Sequence, residues 1–369
     1  MQMALDLASS AIFITSPNPR VGCVITAANS TVIGQGHTQK AGGPHAEVMA
    51  LRDAAARGHS TAGATAYVTL EPCSHHGRTG PCCDALVAAG IKKVVAAVAD
   101  PNPLVAGNGF ARLRAAGIEA EVCSAEDGGV ASRDLNIGFF SRMVRKQPWV
   151  RLKAATSLDG ATALPDGSSQ WITSETARAD GHYWRARACA ILTGVGTVLA
   201  DDPALDVRYV ETPRQPRLVV VDSALRTPPT SRIFATPREV LIYCASQQPE
   251  RQAALEAAGA TVIHLPQAVA TADHPQVDLA AMLLDLGRRE VNELHVEAGG
   301  VLNGALVQAG LVDECVLYMA PKLIGQGLGA FQGLLLPQLA DAPQLDITQI
   351  ERIGPDLRII ARVQGHYDF

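Results

Sequence analysis

Apolar runs of strand length alternate with helix-length stretches along the chain, and the alternation breaks off and restarts at Gln147-Pro148. That pattern confines the chain to α/β architectures, because strands separated by helices pair mostly in parallel and are covered by those helices. Before the break, helices are predicted over 3–14, 45–57 and 82–89, and strands over 21–27, 31–36, 64–70, 93–99 and 118–123. Asn29-Ser30 reads as the turn of a strand pair, and Gly90 stops the third helix. The expected sheet is largely parallel, with helices on both faces. After the break, strands are predicted over 149–157, 190–193, 217–221, 240–243, 261–264 and 293–297, with a loop over 159–169 and a helix over 176–188. Residues 346–353 and 356–363 share a Gly-Pro turn and read as an antiparallel hairpin.

The 369 residues suit two domains of about 100–200 residues each, placed at 1–145 and 146–369. A net charge of −5 gives no general attraction to nucleic acid, so no nucleic-acid partner is expected. No apolar run approaches the roughly 20 residues that span a bilayer. The opening MQMALDLASSAIFITSPNPR lacks the basic start and small-residue cleavage site of a signal peptide. The expected location is the cytoplasm, away from membranes, where cysteines serve metals or catalysis rather than disulfides. Cys73, Cys82 and Cys83 crowd together, while Cys23, Cys123, Cys189, Cys244 and Cys315 read as small buried hydrophobes.

The strongest chemical signal is His45-Ala46-Glu47 with Pro72-Cys73 and Pro81-Cys82 downstream. A hydrolytic deaminase needs hydroxide at neutral pH. A zinc ion with three protein ligands and one open position provides it by lowering the pKa of water to about 7. A carboxylate that is not a ligand must then carry the proton. H-x-E with P-C and a second cysteine is the arrangement of zinc deaminases. A lone His-x-Glu is ordinary surface chemistry; two cysteines after prolines at element boundaries are not. The common pattern has two residues between its cysteines, whereas residues 74–81 intervene here.

The stretch TLEPCSHHGRTGPCCDAL, together with PNPRVGCVI, GGPHAEVMALR and DPNPLVAGNG, resembles the deaminase domain of the bacterial bifunctional riboflavin-biosynthesis family, the diaminohydroxyphosphoribosylaminopyrimidine deaminase/reductases. The resemblance implies a cytidine-deaminase-like α/β/α domain. It makes His45, Cys73 and Cys82 the Zn2+ ligands and Glu47 the catalytic proton shuttle, and it favours Cys82 over Cys83. His75 and His76 read better as pocket-lining groups than as extra ligands, since three ligands and water fill a tetrahedral site. Asn18 reads as a pyrimidine contact or a plain turn residue. Arg78 reads as a phosphate partner or a solvated loop arginine. His37 and Asn102 are weaker candidates of the same kind.

The second half resembles the same family through LKAATSLDGATA, SSQWITS, ILTGVGTVLADDPALDVR, VVDSALRTP, HVEAGGVLNGALVQAGLVDE and APKLIGQG. The implied domain is dihydrofolate-reductase-like and reduces a ribosyl group with NADPH. Read alone, Gly194-Val195-Gly196-Thr197 and Glu297-Ala298-Gly299-Gly300 each follow a strand and open a helix, where amides and glycines suit phosphate. The third glycine of a G-x-G-x-x-G fingerprint is missing. The resemblance implies cofactor contacts at Ala155, Trp171, Thr197, Asp201, Ser223, Gly299, Gly300, Val301, Leu302, Asn303, Gly304 and Ala305. It implies substrate contacts at Ser169, Arg185, Leu205, Arg208 and Glu297. Arg185 and Arg208 suit a sugar phosphate, Glu297 suits ribose hydroxyls, and Lys153 reads as a group near the sugar or as an ordinary strand lysine. Gly299-Gly300-Val301 lacks a hydroxyl that relatives often carry there. The implied partner is a phosphoribosyl pyrimidine, and the implied assembly a homo-oligomer, dimer or tetramer.

Two rival readings remain at this stage. A cytidine or tRNA adenosine deaminase fused to an unrelated domain is disfavoured by the acidic balance and the long cysteine spacing. A non-catalytic zinc module has no use for Glu47.

Overall fold

The computed structural model describes residues 1–75, 80–103, 105–268 and 275–368. The chain divides into two compact units, Met1–Arg145 and Lys146–Phe369.

In the first unit the strands are β1 (Gly22–Thr26), β2 (Val32–His37), β3 (Thr65–Val68), β4 (Lys93–Ala96) and β5 (Glu119–Val122). The helices are α1 (Gln2–Ser10), α2 (Ala46–Ala56), α3 (Cys82–Ala88), α4 (Asn108–Ala115), α5 (Val130–Leu135) and α6 (Ile137–Arg145). The sheet order is β2-β1-β3-β4-β5. Only β3/β4 and β4/β5 are parallel; β1 runs antiparallel to both β2 and β3. The expectation of a largely parallel sheet fails here for a local reason. The tight turn in which Asn29 Oδ1 accepts the Thr31 amide and Ser30 takes φ 65° closes a hairpin, and a hairpin is antiparallel.

Glycine sets the packing on both faces. A Cβ on Gly22 would lie 1.9 Å from the Ala4 carbonyl of α1, and one on Gly36 2.5 Å from Met49 Cβ of α2. Register pairs Gly36 with Cys23, so Gly22 and Gly36 face opposite sides. The two helices therefore cover opposite faces, as the sequence led us to expect. On α2 the small residues Ala46, Ala50 and Ala54 form the buried stripe that permits this close approach.

In the second unit the strands are β6 (Trp149–Ser157), β7 (Ala161–Ala163), β8 (Ala190–Gly194), β9 (Arg217–Val221), β10 (Val240–Cys244), β11 (Ala260–His264), β12 (Glu293–Val296), β13 (Glu314–Ala320), β14 (Leu328–Gly329), β15 (Leu345–Ile353) and β16 (Asp356–Val363). The helices are α7 (Glu175–Arg187), α8 (Val195–Asp201), α9 (Pro249–Ala257), α10 (Leu279–Arg288) and α11 (Gly300–Gln308). The main sheet runs β11-β10-β9-β8-β12-β6-β13-β16-β15, parallel through β13, with the β15–β16 hairpin antiparallel. Successive residues of β9 bury on opposite faces, Val219 in one apolar cluster and Leu218 and Val220 in the other. That is the pattern of a parallel sheet covered on both sides. The 159–169 segment, expected as loop, contains β7, which pairs with β14.

Candidate active site

Three ligand atoms, one each from His45, Cys73 and Cys82, lie within 4.8 Å of one another. His45 is the N-cap of α2, Cys73 follows the end of β3, and Cys82 opens α3 behind Pro81. His45 Nδ1 is 3.2 Å from Cys82 Sγ and 3.6 Å from Cys73 Sγ. Tetrahedral zinc with its usual bond lengths holds a nitrogen and a sulfur about 3.6 Å apart, so the donor set suits the metal, with the His45–Cys82 separation shorter than the tetrahedral value. The Cys82 amide donates to Cys73 Sγ at 3.3 Å. Hydrogen bonding from Cys82, with help from His45, pulls the Cys73 thiol down to about 4 against the push of burial. The Cys82 thiol moves the other way, through its bond to Cys73 and burial.

Cys83 faces elsewhere. Its thiol donates to the Pro72 carbonyl at 3.3 Å and the Gly109 carbonyl at 3.6 Å, and burial pushes it up to about 12. Glu47, one position further into α2 than Ala46, is 3% exposed. Burial raises its pKa, and the nearby Cys73 adds to the rise while His45 opposes it. A carboxyl whose pKa burial raises, beside a metal triad that it does not join, suits proton transfer. His75 is half-buried, and its Nδ1 has no hydrogen-bond partner among the described residues. His37 Nδ1 sits 3.1 Å from the Thr38 carbonyl, and the Asn18 amide donates to Thr15 at 2.8 Å. The Asn102 amide donates to Asp100 Oδ1 at 2.8 Å. His76 and Arg78 lie outside the described residues.

In the second unit the candidate cofactor residues gather at one sheet edge. β9, β8, β12 and β6 are neighbours running in one direction, so Ser223, Thr197, Gly299 and Ala155 all lie at or beyond their carboxyl ends. β12 enters between β8 and β6, which makes this a point where chain order reverses, the usual ligand crevice of a parallel sheet. The loops opening α8 and α11 meet there: a Cβ on Gly299 would come 3.8 Å from Thr197 Oγ1. Gly196 has open space, Gly299, Val301, Asp201 and Ala305 are exposed, and Leu302 and Ser169 are half-buried. Trp171 is 63% exposed, with the Arg178 guanidinium 4.4 Å from its ring centroid.

Several of the candidate residues also have partners within the chain. Gly300 and Gly304 are glycines because the chain itself crowds them: a Cβ would lie 2.5 Å from the Gly329 carbonyl or 2.1 Å from that of Gln332. Asn303 is buried and donates to the Ala298 and Ala330 carbonyls, both at 3.2 Å, so it shapes the loop. The Leu205 side chain is in the apolar core, at φ 49°, with its carbonyl taken by Arg238 at 2.5 Å. Arg185 and Glu297 bind each other through two parallel hydrogen bonds, Nη2 to Oε2 at 2.9 Å and Nε to Oε1, and Arg185 Nη1 donates to the Asp206 carbonyl at 2.9 Å. Neither is an isolated ligand-binding charge. Arg208 is exposed and paired with Asp206.

Lys153 stands on the same face of the sheet. Burial lowers its pKa, and Glu297 works against that fall. Burial alone would raise Glu297, but Arg185, His295 and Lys153 hold it well below the usual carboxylate range.

A family model described as the RibD C-terminal domain matches residues 148–359, and one described as the cytidine and deoxycytidylate deaminase zinc-binding region matches residues 1–98. The riboflavin biosynthesis protein RibD of Escherichia coli K12 is 46% identical, over 97% of this chain and 96% of its own length. The chain belongs to the RibD family. The Mycobacterium tuberculosis RibD is 37% identical over 97% of this chain and 94% of its own length. A solved Acinetobacter baumannii RibD superposes with a TM-score of 0.87 at 39% identity, covering 98% of this chain and 97% of that one. A Thermotoga maritima structure described as a diaminohydroxyphosphoribosylaminopyrimidine deaminase/5-amino-6-(5-phosphoribosylamino)uracil reductase superposes at 0.84 with 31% identity, covering 98% and 97%. Like other RibD chains it is a bifunctional enzyme, a zinc-binding deaminase domain followed by a reductase domain.

Within this RibD frame, the sequence reading missed the groups that hold the site residues in place. Arg238, Gln215 and His182 clamp the 204–208 backbone, through bonds to Leu205, Val207 and Arg208. His295 is fully buried with Nε2 3.4 Å from Glu297 Oε1. Arg238, Gln215 and His182 lie outside every segment that carries the family resemblance and act on main chain, whereas His295 opens one such segment but faces its near neighbour Glu297.

Proposed function

We propose that the first unit deaminates 2,5-diamino-6-(5-phosphoribosylamino)pyrimidin-4(3H)-one at Glu47 and the His45–Cys73–Cys82 centre. The second then reduces the product, 5-amino-6-(5-phosphoribosylamino)uracil, to its ribitylamino form. The observation that carries this reading is the convergence of one nitrogen and two sulfur ligands beside a buried, non-ligand carboxyl. A structural zinc site needs no such carboxyl.

Zinc, when bound, acidifies water to a pKa of about 7, and NADPH, when bound, supplies a hydride. Everything else falls to the chain. His45, Cys73 and Cys82 would hold the metal through one nitrogen and two sulfurs, a set of three that leaves room for water. Glu47 takes the proton of the attacking water and passes it to the ring nitrogen and the departing amino group, so that C–NH2 and water become C=O and ammonia. In the reductase unit, Thr197, Ser223 and the 299–305 turn fit the cofactor phosphates, because their amides and the open glycines 196 and 299 border one crevice. Arg208 is the exposed cation for the sugar phosphate. The Arg185–Glu297 pair and Lys153 orient the opened sugar at the strand ends.

The enzyme is further proposed to act in the cytoplasm as a homo-oligomer, a dimer or tetramer. No disulfide joins the described cysteines, which suits a reducing compartment. Light scattering tests the assembly.

The activity test follows ammonia release from zinc-loaded protein with and without NADPH, while absorbance reports NADPH oxidation. Ammonia without NADPH, followed by matched NADPH consumption, is the expected result. Ammonia with no NADPH oxidation removes the reading of the second unit. No ammonia from zinc-loaded protein removes that of the first.

A further inference from the structure

Glu71 lies two residues before Cys73, on the strand end that delivers this ligand, and is 3% exposed. Its carboxylate is surrounded by main-chain donors. Oε2 accepts the amides of Asp100 at 3.2 Å and Gly107 at 3.0 Å; Oε1 accepts those of Gly109 at 2.9 Å and Phe110 at 3.4 Å. All four belong to the segment that leaves β4 and opens α4. The order is passed on from there, since the carboxylate of Asp100 receives the Asn102 amide at 2.8 Å.

The same segment is pressed against the ligand-bearing turn. A Cβ on Gly109 would lie 2.2 Å from the Pro72 carbonyl, so only glycine fits. Cys83 Sγ bridges the Pro72 and Gly109 carbonyls. Arg112 of α4 pairs with Asp84 of α3 at 2.6 Å and donates to the Ser74 carbonyl at 3.1 Å. The segment is therefore tied to both elements that carry the cysteine ligands, and Glu71 is the hub of the main-chain bonds.

We propose that Glu71 is a positioning residue of the deaminase: its carboxylate fixes Asp100 and the Gly107–Phe110 turn against the Pro72-Cys73 turn, which carries a ligand of the pyrimidine site. It touches neither metal nor substrate. Four N–H groups converge on two oxygens, and both oxygens must accept. Glutamine has the same volume but only one acceptor oxygen, and its NH2 would face two N–H groups. Packing alone does not distinguish the two side chains, whereas the proposed role does. The proposal rests on the deaminase reading above, and the test separates the two.

Full-length, zinc-loaded Glu71→Gln is compared with the parent for zinc content, deaminase kinetics, reductase kinetics on the deaminated substrate, and hydrogen exchange of the Gly107, Gly109 and Phe110 amides. Expected is one zinc per chain, unchanged reductase kinetics, faster exchange at those amides, and a deaminase KM raised about tenfold or more with kcat within about threefold, since displacing a turn of the pyrimidine site by about an ångström costs rates of this order. An unchanged KM, unchanged exchange, or loss of zinc would each overturn the proposal, the last because Glu71 would then serve the ligand itself. Should Glu71→Gln not fold, Glu71→Asp keeps both acceptor oxygens but draws them back by one methylene from the four amides; an unchanged KM with unchanged exchange there is equally fatal. If the parent releases no ammonia, the deaminase reading fails, while the exchange data still judge the clamp.

Discussion

Removing the Arg185 guanidinium while leaving Glu297 should destabilise the reductase unit by about 3 kcal/mol, the low end of what one-sided loss of a buried ion pair costs. The low end applies because Lys153 remains close to Glu297, and because the two side chains are 15% and 13% exposed rather than sealed. Arg185→Met also strips the Asp206 carbonyl of its donor. For a unit of this size each kcal/mol moves Tm by roughly 2–4 °C, so a fall of about 6–12 °C is expected. Trp149, Trp171 and Trp184 are the chain's three tryptophans and all belong to the second unit, so intrinsic fluorescence follows its unfolding selectively. Glu297→Gln should cost a similar amount, because it leaves a buried cation facing a neutral amide. The double variant Arg185→Met/Glu297→Leu should be more stable than either single one, since replacing a whole buried pair by apolar groups is often neutral or better. All three should lose reductase activity and keep ammonia release. Additive losses in the double variant would refute the reasoning. So would a single-variant loss below about 1 kcal/mol, which is the range of a surface bridge.

Glu47→Gln should bind zinc normally and lose about 10²–10⁴-fold in ammonia release, with NADPH oxidation on the deaminated substrate unchanged; retained deamination would remove Glu47 from the mechanism. Cys82→Ser should lose bound zinc by metal analysis, whereas Cys83→Ser should keep it, because the Cys83 thiol is turned to the Pro72 and Gly109 carbonyls. His182, 4% exposed, is pushed down to about 4 by burial and then by Arg185 and Arg208, and its neutral Nδ1 accepts the Arg208 amide at 3.0 Å. The unfolded chain takes up that proton near its ordinary 6.5, so stability from this group falls as pH drops from 6.5 towards 4. Urea midpoints at pH 7 and 5 should differ less in His182→Gln than in the parent.

Most strands of the second unit were legible because a covered parallel sheet leaves continuous apolar runs bounded by turns. β6 and β9 match their expected bounds residue for residue. β13 was missed although it is central in the sheet. Its sequence ECVLYMA follows a helix after a short connection, and periodicity alone does not separate a buried strand from further helix. α4, α5 and α6 were missed as well. α4 is short and begins at a Gly-Asn turn, and Gly128-Gly129 interrupts the run before α5.

The site divides along the same line between local and distant information. Metal ligands announce themselves, because zinc demands particular residue types at element ends, and those ends carry proline or helix-start signals. The polar face of β6 and β12 conceals itself. Arg151, Lys153, Glu293 and His295 alternate with apolar residues, a pattern that ordinarily marks a strand face turned to water. Here α7 covers it. Arg151 is 1% exposed, bound to Glu293 at 2.8 Å and Glu314 at 2.5 Å, with its guanidinium 4.9 Å from the Trp184 ring centroid. Only the tertiary pairing of β6 with β12 and β13 brings those charges together. No window of sequence contains that pairing, so Lys153 read equally well as an ordinary strand lysine. Arg151 is closed off by Glu293 and Glu314, whereas Lys153 and Arg185 both act on Glu297. Glu297 receives both just past the carboxyl end of β12. This buried charge network is assembled by the pairing of strands rather than written in any motif.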